Sequence, residues 1–438
     1  MDLSESTLAM GKLALIFVAI LVLLRFKIKL WLCILGGSLV AALLTGVSPA
    51  GWPGIFFGAL TDTNFIILVV MIFLILMLSG VQEATGQSRR MVRGLEHYLH
   101  SPRLRLVIFP ALVGLLPMPG GALFSCPMIK AAAEGMGVTD RQKSLINYWF
   151  RHIWELAWPL YPGYVLICSL LGLQLTDLWL YTFPLVFSAF GVGWFFYMRE
   201  LARSEVMREH ESILAAEKPE ENSLGEVLLH GLPIALVLVG ALVFGFLFSR
   251  LLPQLPGQLA FCAALVVSIA VALYQGRGRR EKPLHKIAFT PNVGRIFLLL
   301  AAIYVFKDTV AASGLVQSMS RLGSSDVMLV ITFMLVPFCA GLLTGLMLGF
   351  VGLCFPILIG IVQQSPMQEY TLPLVVLAMV AGNCGQLLSP VHVCLVVTGE
   401  FFTTTLPRLL RSLALPTLAL GIVGSLWALI LALAGVHL

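Results

Sequence analysis

Apolar residues in this chain do not alternate with polar ones; they gather into long runs separated by short charged stretches. A run of about 18 or more apolar residues is long enough to cross a bilayer as a helix. On that basis spans are expected at 8–25, 30–47, 64–83, 144–170, 180–198, 226–249, 258–274, 292–312, 370–398 and 412–436. Two further apolar stretches, 106–128 and 326–362, do not fit as simple spans. The first contains LLPMPGGALFSCPM at 115–128, and the second contains Pro337, Gly341, Gly345, Gly349, Gly352 and Pro356. Proline removes a backbone donor and glycine permits turns, so each stretch reads as a re-entrant hairpin whose freed backbone groups face protein or water. The expected fold class is an all-α polytopic membrane protein with about ten transmembrane helices plus two re-entrant hairpins.

Composition agrees, since 59% of the 438 residues are hydrophobic and only 11% are charged. The formal net charge of +6 does not point to nucleic acid, because the cations sit in short loops between apolar runs. There they report topology. RFKIK, the 84–105 loop with Arg89, Arg90, Arg93, Arg103 and Arg105, and GRGRREKPLHK at 276–286 belong in the cytoplasm. If 106–128 crossed the membrane, Lys130, Arg141 and Lys143 would lie outside, so it is expected to enter and leave on the cytoplasmic side. The 326–362 hairpin then enters from outside, and both termini lie outside. The first apolar run is followed directly by RFKIK and another span, with no cleavage-site pattern, and is expected to remain as a helix. None of the eight cysteines forms a CxxC pair; all read as small core hydrophobes, with no metal site expected.

Displaced by 228 or 229 residues, the two halves match at ordered points. EATG (83–86) falls on AASG (311–314), MPGGALFSCPMI (118–129) on MLGFVGLCFPIL (347–358), and YPGYVLI (161–167) on SPVHVCL (389–395). Each half then holds five spans and one hairpin. An odd number of spans inverts the second half, the plan of many secondary transporters, whose ligand site lies near the midplane where broken helices meet. The expected divisions are a first repeat at 1–198, a cytoplasmic linker at 199–225 and a second repeat at 226–438, with arm-like segments at 87–103 and 315–325.

Polar residues inside apolar runs are the candidates for chemistry. Tyr148, Arg151, His152 and Glu155 fall on one helical face of the 144–170 span, near Pro159, Pro162 and Gly163. Arg151 and Glu155 can form an internal ion pair that only locks helices; alternatively Arg151 binds an anionic group while His152 or Glu155 carries a coupling proton. In the second half GNCGQLLSPVH offers Asn383, Gln386, Ser389 and His392 beside helix breakers. These groups suit a solute or, through Asn383 and unwound carbonyls, Na⁺, and equally suit hydrogen bonds between helices. At the hairpin tips Pro119, Gly120, Gly121 and Ser125, and Thr344, Gly345 and Gly349, are placed to meet substrate. Glycines there also serve close packing. Lys307 and Asp308 fall on Ser79 and Gly80 and break the symmetry, as an interfacial ion pair or a gate.

The hairpins, arm-like segments and broken spans resemble the ion transporter superfamily, which includes gluconate, lactate, citrate and C4-dicarboxylate permeases, arsenite permeases and some Na⁺/H⁺ antiporters. More closely, PMPGGALFSCPM, NYWFRHIWE and LLSPVHVCL resemble a prokaryotic membrane family defined only as a domain of unknown function. The resemblance implies a homodimer in the prokaryotic cytoplasmic (inner) membrane, with a scaffold domain and a transport domain that moves as an elevator. The moving part would comprise 106–128, 144–170, 326–362 and 370–398. Dicarboxylate members carry Ser-Asn-Thr motifs at their hairpin tips; PMPGG and TGLMLG stand here instead, which argues against that specificity. The expected function is secondary active transport of a small anionic solute of carboxylate type, coupled to H⁺ or Na⁺, without a cofactor. The alternative is a cation/proton antiporter, and a channel is a further possibility. The chain lacks a Walker A sequence, and HIWE at 152–155 has no second histidine to complete HExxH, so neither ATP-driven pumping nor zinc proteolysis is expected.

Overall fold

The computed structural model of the chain describes residues 3–48, 50–96, 99, 101–117, 121–201, 223–279, 282–315 and 326–436. Hydrocarbon offers backbone groups no water, so apolar runs must satisfy them internally, and the described residues fold as helices without a strand. The first half contains α1 Leu3–Arg25, α2 Leu30–Thr45, α3 Trp52–Thr61, α4 Thr63–Ala84, α5 Gln87–Glu96, α6 Pro102–Gly114, α7 Gly121–Ala132, α8 Asp140–His152, α9 Pro162–Leu171 and α10 Leu175–Gly193. After α10 the chain continues through a wider π turn at Trp194–Met198. The second half contains α11 Ser223–Leu251, α12 Gln258–Gln275, α13 Leu284–Ala288, α14 Pro291–Ala312, α15 Asp326–Thr344, α16 Met347–Gln363, α17 Thr371–Leu387, α18 Val393–Phe401 and α19 Leu406–Leu433.

Seven stretches among the described residues are long and apolar enough to cross a membrane: α4, Leu175–Met198, Gly225–Leu251, α12, α15, Gln368–Leu387 and α19. This makes the chain a multi-pass helical membrane protein. Helix starts follow local sequence: Asp62 caps α4 by accepting from the Asn64 and Phe65 amides at 2.7 and 3.1 Å, and Thr139 with Gln142 closes a capping box on α8. The expected arm at 87–103 is helical over Gln87–Glu96, tied down where Arg90 Nε donates to His230 Nε2 on α11 at 3.0 Å. Its counterpart, 315–325, lies outside the described residues beyond Leu315. The short helix α3 lies where no span was expected.

Both apolar stretches that resisted assignment are helical pairs. α6 and α7 have 13 and 12 residues, each about 20 Å long, so neither arm alone crosses a hydrocarbon core of about 30 Å. α15 and α16 are longer, with 19 and 17 residues, and join through Gly345 and Leu346; Gly345 takes φ +61°, a conformation that needs glycine. The arm α15 reaches full crossing length, more than a re-entrant loop requires. The spans expected at 144–170 and 370–398 are each broken, into α8 and α9 and into α17 and α18.

The broken helices hold the centre. From Ser144 to His152, α8 is buried without interruption, and nearly all of α17 is buried, whereas α11 and α19 expose Val239, Leu242, Phe246, Leu418, Ile422 and Leu426. Exposed apolar side chains on outer helices suit lipid contact.

Candidate functional site

The first break is tied to the end of α6 by donors on its own side chains. Helix α6 ends with carbonyls that have no partner in the helix, and side chains from the break supply donors. Trp154 Nε1 donates to the Ala111 carbonyl and Trp158 Nε1 to that of Leu115, both at 2.8 Å, while Tyr161 Oη donates to Gly114 at 2.7 Å. The aromatic residues after Arg151 thus join the first hairpin to the first break. At the second break, Tyr148 Oη donates to the Leu387 carbonyl at the end of α17, at 3.1 Å.

Between these anchors the two breaks face one another. Gln386 Nε2 donates to Glu155 Oε2. His152 Nδ1 donates to the Tyr148 carbonyl, which fixes its proton on Nδ1 when neutral and turns the Nε2 lone pair inward. That lone pair lies 3.1 Å from Nε2 of His392 and 4.0 Å from Glu155 Oε1. His392 must then donate from Nε2, which leaves its buried Nδ1 without a hydrogen-bond partner. The Tyr148 ring packs against both, centred 4.6 Å from His152 and 5.4 Å from His392.

Arg151 points elsewhere than expected for a structural pair. Its Nη1 donates to Cys394 Sγ at 3.2 Å, its Nε has no partner, and it is only 6% exposed. Of the two alternatives, the internal ion pair with Glu155 is not formed; Glu155 accepts from Gln386 instead. A buried guanidinium left with a thiol and an unsatisfied N–H is costly unless an anion completes it.

The guanidinium packs against Gly121 at the start of α7, where a Cβ would lie 2.9 Å from Nη2. Gly121 also lines a cavity of about 670 Å³ whose walls include Glu83, Ser88, Arg89, Arg93 and Phe124. Arg89 stacks over the Phe124 ring at 5.4 Å. This volume suits a small organic ligand. The cavity runs from the arm helix and first hairpin to the glycine that covers Arg151.

The other expected site residues divide by position. Ser125 is buried and donates to the Gly121 carbonyl at 3.2 Å, so its hydroxyl is engaged within its own helix. Thr344 likewise donates to the Ala340 carbonyl at 2.8 Å. Gly345 meets the second break, where a Cβ would lie 2.9 Å from both the His392 amide and Ser389 Oγ. Ser389 Oγ accepts from the Val391 amide at 3.3 Å. Asn383 is buried with Nδ2 unpartnered, and Gly349 faces Thr344 and Leu30, away from the histidines. Pro119 and Gly120 lie outside the described residues. Lys307 Nζ lies 3.3 Å from Asp308 and 4.3 Å from the Tyr304 ring centre.

Two participants escape sequence reasoning. Cys394 reads as a core hydrophobe yet touches Arg151, and Asn147 bridges the halves by donating to Cys126 Sγ at 3.1 Å and Thr398 Oγ1 at 3.3 Å.

A multi-pass helical membrane protein with two broken helices meeting over buried polar residues is the class that this fold defines. Within that class the chain belongs to DUF401, a family described as proteins of unknown function, whose model matches residues 9–433. No curated protein matches the chain.

Proposed function

We infer that the protein is a secondary active transporter of a small anionic solute of carboxylate type, coupled to H⁺ or Na⁺. The observation that carries this reading is Arg151, a buried cation without a carboxylate partner, packed behind the cavity's Gly121 wall. Arg89 and Arg93 around the cavity raise the local concentration of anions before they reach it.

The order of elements supports an inverted repeat. A span of 22 residues, a pair of helices, a broken span and a final span follow one another in both halves, as α4 to α10 and as α14 to α19, although the second pair is longer than the first. In this reading the Arg-rich 84–105 loop lies in the cytoplasm by the positive-inside rule, both termini lie outside, and the cavity opens to the cytoplasm. In this reading the hairpins and broken helices move together as an elevator against a scaffold, and the protein works as a homodimer in the cytoplasmic membrane of a prokaryote. Cysteines introduced by Arg103→Cys and Ala131→Cys then react with an impermeant reagent from the same, cytoplasmic side. Labelling from opposite sides would place α6 and α7 across the membrane and break the repeat.

A second reading, cation/proton antiport without an organic substrate, is favoured by the contact of Glu155, His152 and His392, groups able to exchange a proton for a cation. One experiment separates the two. The purified protein is heated with a panel of organic acids, inorganic anions and Na⁺, and ligands that raise its melting temperature are tested for uptake into proteoliposomes under H⁺ or Na⁺ gradients. Stabilisation and gradient-driven uptake of an organic anion are expected; response to Na⁺ or pH alone, with no solute, would select the antiporter.

A further inference from the structure

The two breaks bring together a second kind of chemistry that sequence spacing does not suggest. We propose that His152, His392 and Cys394, with Glu155 as fourth ligand, form an intramembrane binding site for a divalent transition ion of the Zn²⁺ class. This does not rest on the transport reading; it rests on ligand type, distance and orientation.

One ring nitrogen of His152, one of His392 and Cys394 Sγ all lie within 4.8 Å of one another. Two imidazole nitrogens each about 2.0–2.1 Å from a tetrahedral Zn²⁺ are roughly 3.3 Å apart, and a sulfur at about 2.3 Å lies roughly 3.6 Å from either. The observed Nε2–Nε2 distance of 3.1 Å already matches. Glu155 Oε1, 4.0 Å from His152 Nε2, stands beside this trio and must move inward to complete the tetrahedron. Imidazole, thiolate and carboxylate together favour Zn²⁺ or Co²⁺ over Mg²⁺ or Ca²⁺.

Orientation supports the same conclusion. A histidine that binds metal through Nε2 characteristically donates its other N–H to a backbone carbonyl, and His152 does so to Tyr148. His392 releases its Nε2 proton and takes one at Nδ1, which is otherwise unpartnered. The Cys394 thiol gives its proton to solvent, and Arg151 Nη1, 3.2 Å from Sγ, donates to the resulting thiolate. One ion, one thiolate and one carboxylate sum to zero charge. Arg151 remains the local net cation, available to an anion. Because His152 and Glu155 come from the first half and His392 and Cys394 from the second, a bound ion ties the two broken helices together.

The test uses full-length protein in detergent, freed of any polyhistidine tag, kept reduced, stripped with chelator and titrated with Co²⁺. Expected are one equivalent bound, visible bands of tetrahedral Co²⁺, a thiolate-to-cobalt charge-transfer band, and displacement by Zn²⁺. Cys394→Ser should remove the charge-transfer band, and His392→Ala should weaken binding by more than about 10-fold, the least that losing even a ligand-orienting group costs. A wild-type protein without that band, or a band that persists in Cys394→Ser, overturns the proposal. Should a variant not fold, X-ray absorption on the wild-type zinc form decides: one sulfur with two imidazoles is expected, and a shell without sulfur overturns the site.

Discussion

Arg151→Gln abolishes solute uptake while leaving the protein folded. The guanidinium is buried, donates to Cys394 and has no carboxylate partner, so its charge is compensated only when an anion arrives. Removing one partner of a buried, charge-assisted contact costs roughly 2–5 kcal/mol of binding, about 30- to 4,000-fold in affinity. The unliganded protein loses nothing comparable, since replacing an uncompensated buried charge by a neutral amide relieves desolvation. Two measurements therefore move apart: proteoliposome uptake falls to background, and the melting temperature without ligand holds or rises. Stabilisation by the solute disappears with uptake. Full uptake in Arg151→Gln would take Arg151 out of the site, and a collapsed melting temperature would return it to a purely structural role.

The positions of the helix breaks were legible in the sequence, and the contacts across them were not. Pro159 and Pro162 announce the first interruption and Pro390 the second, because proline acts on its own backbone. The turn inside 326–362 was legible through Gly345, although the full crossing length of α15 before it was not. Arg151, His152 and Glu155 stood out as charges in an apolar run. What they touch depends on long-range packing. His152 and His392 are 240 residues apart, and the repeat offset does not pair them. Spacing rules for metals search short windows, so Cys394 read as one more buried thiol. The short helix α3 was missed because its ten residues, Trp52–Thr61, are too few to register as a span.

Gly385→Leu prevents the buried helical core from assembling, and even Gly385→Ala lowers stability. Helices α15 and α17 approach so closely that a Cβ at Gly385 would stand 2.0 Å from the Phe338 carbonyl oxygen and 2.9 Å from the Leu342 amide nitrogen. Facing it, a Cβ at Gly341 would stand 2.1 Å from the Gly382 carbonyl oxygen. These neighbours are main chain, so relief requires moving a helix rather than turning a side chain. Overpacking a well-filled core costs about 1–3 kcal/mol, and a rigid backbone neighbour places alanine at the upper end and leucine beyond it. Any shift of α17 also moves Gln386, which holds Glu155, so a lower melting temperature is accompanied by weaker solute binding. Gly191 provides the contrast: it lies in α10 with nothing within 4 Å of its Cβ position, and alanine there gains helix propensity of up to about 1 kcal/mol. One chemical change therefore gives opposite signs at two helical glycines, lower melting temperature at 385 and equal or higher at 191. Equal tolerance at both would mean that α15 and α17 do not meet at these glycines, and the route from the second hairpin to the histidine pair would have to be redrawn.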